Sequence, residues 1–257
     1  MRITLLQQDI VWGNPQTNLC NINEQVKGIE DTDLLILPEM FTTGFAIQPQ
    51  SVAEPEGGVG LAWMKQTAMT KGYAICGSIA IESRHKYFNR LYFVLPSGKV
   101  LYYDKRHLFT YGGEKEAFTE GNRRVIISYQ GVRILLQTCY DLRFPVWSRN
   151  RNDYDMIVYV ANWPAGRISA WSTLLRARAI ENQCFVAGVN RVGVGNGLHY
   201  SGSSALIDFQ GEALGIGQDN KECLISGVIN MKRLQAFRKE FPVLSDSDDF
   251  LLMQAHP

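Results

Sequence analysis

An α/β fold built on mixed β-sheet is the architecture this sequence predicts. Apolar strand-forming runs recur along all 257 residues, among them "RITLLQQ", "DLLILP", "YAICGSIAI", "VRILLQTC" and "YDMIVYVAN". Several are apolar without a break, as strands covered on both faces must be. Stretches of helical periodicity separate some of these runs, and tight-turn signals separate others. Helical crossovers and hairpins in one chain require both parallel and antiparallel neighbours, which layered sheets flanked by helices provide.

The elements follow in order. The first strand, "RITLLQQ", leads into the helical stretch "TNLCNINEQVKGIE", and the second, "DLLILP", stops at Pro38. "LAWMKQTAMTK" is a helix entering the third strand, "YAICGSIAI". "RLYFVLP" and "KVLYYDK" flank the turn "PSGK" at 96–99, and "SSALIDF" runs into a second turn, "DFQGEA" at 208–213. The best-formed helix is "SAWSTLLRARAIENQ", with Ser169 as its expected N-cap and Trp171, Leu174 and Leu175 on one face. "CFVAGVN" and "CLISGVIN" supply further strands. No repeat, low-complexity tract or Pro/Ser-rich linker divides the chain, so the expectation is one domain over 1–257. The acidic, irregular stretch from about residue 241 is expected to be a surface arm.

Composition narrows the function. A net charge of +1 offers no electrostatic footprint for nucleic acid or an anionic membrane. No apolar run approaches the length of a bilayer span, and the opening "MRITLLQQDIVWGN" lacks the apolar core and cleavage site of a secretory signal. Five cysteines (20, 76, 139, 184 and 223) are odd in number, widely spaced and without a CxxC pair. They predict reduced thiols in a cytoplasm rather than a disulfide framework or zinc site.

Three polar residues then stand out at the ends of apolar strands. "DLLILPEMFTTGF" presents Glu39, "VLYYDKRHLF" ends in Lys105, and "RILLQTCYDLRFP" ends in Cys139. Taken singly, Cys139 reads as a small core residue and the two charges as solvated. Together they occupy the position where ligand crevices form in α/β sheets, the carboxyl ends of strands. Their chemistry is complementary. A thiol with an ordinary pKa near ~8.5 needs a base or a nearby cation to attack. Glutamate can take the proton and later activate water. Lysine can lower the thiol pKa and stabilise an oxyanion, with the backbone N–H of Tyr140 as a second donor.

The order Glu39, Lys105, Cys139 in "LPEMFTTGF", "YDKRHLF" and "CYDLRFP" resembles the Glu-Lys-Cys triad of the nitrilase, or carbon–nitrogen hydrolase, superfamily. "IVYVANWP", "LLRARAIENQCFVAGVNRVG" and "YSGSSALIDFQGEAL" extend the resemblance from Thr4 to about Ile229. "YDKRHLF", "CYDLRFPVWSRN" and "ANWP" are most similar to the YafV-like ω-amidases. Val146 departs from the wider superfamily, where glutamate often follows the proline. The resemblance implies a four-layer αββα sandwich, a homodimer, no cofactor, and a small-molecule amide as substrate. It also implies a further glutamate in the loop after the lysine. "GGEKEAFTEG" offers Glu114 and Glu116, and the spacing to Gly121 favours Glu114; a charged surface loop is the alternative.

Other chemistries lack their residues. A papain- or caspase-like enzyme needs a histidine base, and only His107 and His199 are placed to serve; His107 reads better as a structural neighbour of Lys105. No HExxH, HxH or GxxxxGK[ST] occurs, and "GVGNG" at 193–197 lacks a following helix. A binding module that keeps the fold is the non-enzymatic alternative. Cys20, Cys76, Cys184 and Cys223 are expected in apolar surroundings. For an ω-amide substrate a cation must hold the carboxylate, and Arg143 and Arg167 are the candidates. Arg143 is expected to begin a helix, and a structural ion pair beneath that helix is the alternative to substrate contact. Arg167 lies in the loop after "ANWP", beside Trp163, which is either a wall for the substrate's methylenes or core.

Overall fold

The computed structural model of the chain describes residues 1–252. Its first half runs β1 (Arg2–Gln7), α1 (Pro15–Val26), β2 (Leu34–Ile36), the single-turn α2 (Pro49–Val52), the two-residue β3 (Glu54–Pro55), α3 (Val59–Lys71), β4 (Ala74–Ser83), β5 (Lys86–Val94), β6 (Val100–Asp104) and the short α4 (Glu114–Ala117). The second half runs β7 (Ile126–Tyr129), β8 (Val132–Thr138), a 3-10 turn (Cys139–Arg143), α5 (Pro145–Ser148), β9 (Met156–Ala161), α6 (Ile168–Glu181) and β10 (Phe185–Asn190). The hairpin β11 (Val192–Gly195) and β12 (Leu198–Ser201), then β13 (Ala205–Ile207), β14 (Ala213–Ile216), β15 (Cys223–Val228) and α7 (Met231–Glu240), complete it.

The strands form two sheets of the same plan. β1, β2 and β4 are parallel at the centre of one, flanked by antiparallel β15 on one side and by β5 and β6 on the other. In the second, parallel β8, β9 and β10 are flanked by antiparallel β7, β13 and β14. Helical crossovers α1, α3 and α6 connect parallel neighbours, and the turns at 96–99 and 208–213 close hairpins, as the sequence predicts.

Side-chain alternation divides the core into three slabs. Ile3, Leu5, Leu34 and Ile36 of the first sheet meet Ile134, Leu136, Val158 and Val189 of the second between the sheets. The opposite face of the first sheet packs on Leu19, Ile22, Leu61 and Met64 of α1 and α3. The opposite face of the second packs on Trp171, Leu175 and Ala179 of α6. The architecture is therefore the four-layer αββα sandwich. Two-faced burial explains the unbroken apolar runs in the central strands.

Several local expectations change. α6 begins at Ile168, so Ser169 lies inside its first turn and is not the N-cap; the preceding 3-10 turn (Ala165–Arg167) runs straight into the helix. Cys76 and Cys184 are buried, but Cys20 is exposed on α1 and Cys223 is half-buried on an edge strand. An amphipathic helix and a sheet edge each leave one face to water. "GVGNG" spans the β11–β12 hairpin, whose turn residues Asn196 and Gly197 both have positive φ (47° and 73°), the backbone that two-residue hairpins favour. No helix among the described residues is long and apolar enough to cross a membrane.

Past α7, Gln183 Nε2 donates to the Phe241 carbonyl at 2.7 Å and Arg151 Nη2 to that of Phe250 at 3.0 Å. The expected arm thus lies against the second sheet's end of the molecule; residues 253–257 of it fall outside the described residues. α7 itself is held through Asp155, which is 4% exposed. Its carboxylate accepts from Arg133 (2.7 and 2.9 Å) and from Arg238 of α7 (2.9 Å). Burial alone would raise the Asp155 pKa, but the bonds from Arg133 outweigh it and the net shift is downward. A depressed carboxyl pKa contributes stability that is present above the unfolded value of about 4 and lost as pH falls through the folded value. Asp155→Asn should lower stability at pH 7 by about 1.5–3 kcal/mol in urea unfolding. The deficit should shrink as pH drops below about 4, where the wild-type carboxylate protonates.

Candidate active site

Glu39, Lys105 and Cys139 follow β2, β6 and β8 respectively. β6 runs in the direction of β2 because two antiparallel steps separate it from β4. The carboxyl ends of both strands therefore open on the same side of the first sheet, and the second sheet brings the end of β8 to meet them. The structure brings Glu39, Lys105 and Glu114 into direct contact. Lys105 Nζ donates to Glu39 Oε1 at 2.9 Å and to Glu114 Oε2 and Oε1 at 2.8 and 3.0 Å, and all three side chains are fully buried. An ammonium has three N–H donors, so one turns to the cavity that Lys105 lines only when the two Glu114 oxygens share a single N–H. Glu116 lies on α4 but makes none of these contacts.

Each carboxylate is fixed from other directions. Glu39 Oε2 accepts the Asn162 backbone N–H at 2.8 Å, and Asn162 Nδ2 donates to the Glu39 carbonyl at 2.6 Å. Glu114 Oε2 accepts the Phe109 backbone N–H at 2.7 Å. Asn89 of β5 donates from Nδ2 to Glu39 Oε1 at 2.8 Å and to Glu114 Oε1 at 3.0 Å. Burial works against the Lys105 charge, but Glu114 and then Glu39 outweigh it and hold its pKa above the usual lysine range. Burial raises the Glu114 pKa against the pull of Lys105.

Cys139 opens the 3-10 turn with φ +45°, a left-handed backbone that costs a non-glycine residue energy and turns its side chain off the line of β8. Burial, then the Glu39 carboxylate, pushes its thiol pKa well up; Lys105 pulls the other way and is overridden. The expected net lowering by lysine is therefore not found. A neutral resting thiol must lose its proton to a base during attack, and Glu39 is beside it.

Asp141 joins the thiol-bearing turn to the lysine-bearing loop. It accepts the Thr138 N–H (2.9 Å), the Tyr103 hydroxyl (2.8 Å) and the His107 N–H (3.0 Å), and its Oδ1 lies 2.8 Å from His107 Nδ1. His107 stacks on Phe144 at 3.9 Å, so it is a structural neighbour of Lys105.

A cavity of about 240 Å³ opens over Lys105 and Cys139 and is lined also by Tyr140, Arg143, Trp163 and Arg167. Arg143 ends the 3-10 turn instead of beginning a helix, because the chain reaches Pro145 before α5 starts. It lies 4.9 Å from the Trp163 ring and forms no ion pair among the described residues, so the expected structural ion pair is absent. Arg167 lies 5.4 Å from the Phe109 ring, likewise without a carboxylate partner. Trp163 is 3% exposed and donates its indole N–H to the Arg167 carbonyl at 2.8 Å. It serves as core and as cavity wall at once. Asn89, Asn162 and Asp141 are absent from the sequence-based candidates. "ANWP" and "CYD" carried two of them, but Asn89 sits mid-strand, where polar residues ordinarily face water.

The carbon–nitrogen hydrolase family pattern matches residues 2–239, and the chain belongs to that family. It is an amide-hydrolysing enzyme of the class whose typical site is a Glu-Lys-Cys triad. It is 45% identical over 254 residues to omega-amidase YafV of Yersinia enterocolitica, covering 98% of this chain and 99% of that one. It is 32% identical to the 2-oxoglutaramate amidase of Bacillus subtilis, covering 95% and 96%. Among solved structures it matches a CN-hydrolase superfamily protein of Xanthomonas campestris, which carries an arsenic adduct in its active site, with TM-score 0.96 and 43% identity over 98% of this chain and 99% of that one.

Asn89→Ala removes the N–H group that bridges Glu39 and Glu114. The loss of hydrogen bonds to two buried carboxylates should destabilise the fold by about 1.5–3 kcal/mol, read from urea unfolding at neutral pH. An unchanged midpoint would show that the carboxylates are held without it.

Proposed function

We propose that this enzyme is an ω-amidase, releasing ammonia from a short dicarboxylic monoamide such as 2-oxoglutaramate or 2-oxosuccinamate. The observation that carries the reading is the cavity's polarity: Lys105, held by Glu39 and Glu114 behind it, lines its floor beside Cys139, and its wall holds two guanidiniums without carboxylate partners among the described residues. The omega-amidase and 2-oxoglutaramate amidase relatives support the same substrate class.

The Cys139 thiol proton passes to Glu39 as Sγ bonds to the amide carbon. The oxyanion that forms takes a Lys105 N–H, as the two Glu114 oxygens come to share one donor, and the Tyr140 backbone N–H. Glu39 returns the proton to the amide nitrogen, the C–N bond breaks and ammonia leaves a thioester. Water then gives a proton to Glu39 and attacks the thioester carbon; the C–S bond breaks, and the proton from Glu39 restores the thiol. Glu114 keeps Lys105 charged and aimed. Arg167, on a turn at the carboxyl end of β9, holds the substrate carboxylate, with Trp163 against its methylenes and Arg143 as the other cation in reach. The reading includes a cytoplasmic homodimer, supported by five free thiols for the compartment and by the family resemblance for the assembly.

Ammonia release from ω-amides of 2-oxo acids, simple amides, nitriles and N-carbamoyl amino acids tests the substrate class directly. Cys139→Ala and Glu39→Gln should each retain less than roughly a thousandth of wild-type kcat with the fold intact. Lys105→Arg should not restore activity, since a planar guanidinium cannot replace an ammonium aimed at one oxygen. Near-wild-type rates in any of the three would remove that residue from the chemistry.

Arg167→Met should cost roughly ten- to hundredfold in kcat/KM on 2-oxoglutaramate and little on a neutral amide. An equal fall on both substrates would transfer the anchor role to Arg143.

A further inference from the structure

Tyr200 of β12 is 2% exposed and lines the cavity together with Cys139 and Arg167. Its hydroxyl makes no hydrogen bond to another described residue, and it is not among the buried atoms closed off from the cavity. A phenol that opens on a reaction cavity without a protein partner has its O–H free to bond what enters there. The ring is held from behind. The Arg191 guanidinium, fully buried, lies 4.6 Å from the ring centroid. Arg191 Nη2 in turn donates to Asp9 Oδ1 at 2.6 Å and to the Ile10 carbonyl at 2.9 Å.

The strand across the hairpin accommodates this support. Gly193 pairs with Tyr200 and has φ +86°; a Cβ there would sit 2.2 Å from Asp9 Oδ1. The Asp9–Arg191–Tyr200 stack therefore needs glycine at 193, which accounts for the first glycine of "GVGNG". The turn that carries Arg167 packs directly against β12. Phenol and guanidinium thus stand side by side on one wall.

Burial raises the Tyr200 pKa to about 12, with Arg191 pulling down and the Glu39 charge adding to the rise. The phenol is neutral at physiological pH, so its O–H is a donor available to an oxygen of the substrate. We propose that Tyr200 is a specificity-determining residue whose hydroxyl donates to the acidic end of the ω-amide, beside Arg167. The inference rests on the ω-amide reading above and adds a second, uncharged donor to the recognition of that end.

Tyr200→Phe deletes the hydroxyl and keeps the ring on Arg191. Its kcat/KM on 2-oxoglutaramate should fall roughly ten- to hundredfold, carried mainly by KM, while that on butyramide stays within about twofold. The double variant Tyr200→Phe/Arg167→Met should lose less than the product of the two single losses, because both groups bind one end of the substrate. An equal loss on both amides would overturn the inference, since it would put the hydroxyl at the reacting atoms or in the fold. No loss on either would overturn it as well. A wild-type enzyme that does not favour 2-oxoglutaramate over butyramide would defeat the substrate reading before any variant is made, and the inference with it.

Discussion

The sharing of one ammonium between two buried carboxylates governs this structure. Lys105, Glu39 and Glu114 are each excluded from water, and two anions facing one cation leave an excess of negative charge in a low-dielectric site. Such a cluster persists only where every oxygen is hydrogen-bonded and every backbone segment is held. Much of the surrounding architecture meets that requirement. Asn89 reaches both carboxylates from the middle of β5, and Asn162 and Phe109 give their backbone N–H groups. Because Glu39 and Lys105 come from the first sheet and Asn162 from the second, the cluster ties the two halves of the sandwich together at one end of their strands.

The same cluster sets the chemistry. Burial, Glu39 and Glu114 keep the Cys139 thiol protonated at rest, so in the proposed reaction the nucleophile arises only with proton transfer to Glu39. A reactive thiolate is thus not left standing in the open cavity. Asp141 holds the geometry for that transfer, joining the turn that bears Cys139 to the segment 103–107 that bears Lys105.

The cavity is electrostatically divided, with Lys105 at its floor backed by two buried carboxylates and a wall carrying Arg143 and Arg167. A substrate neutral at the scissile end and anionic at the other matches both. In the proposed reaction the product gains a second carboxylate beside Glu39 and Glu114, and like-charge repulsion then favours its release.

The αββα layering was legible in the residue pattern and the resemblance together: unbroken apolar runs report two-faced burial, helical periods and turn dipeptides report which strands are parallel, and local sequence controls both. Glu39, Lys105 and Cys139 were legible for a similar reason, since each interrupts an apolar strand with a polar side chain. Asn89 was not, because a polar residue in a strand is ordinary until tertiary packing covers both of its faces. The exposure of Cys20, the start of α6 and the missing partner of Arg143 likewise depend on what lies across from each residue. Sequence by itself determined the main strands and helices, their order and the polar groups at the strand ends, all of which follow from short-range backbone and solvation preferences. Only the tertiary structure decided the charge balance of the buried cluster, the net rise of the Cys139 pKa and the stacking of Tyr200 on Arg191, because each arises between residues far apart in the chain that meet only when the two sheets close.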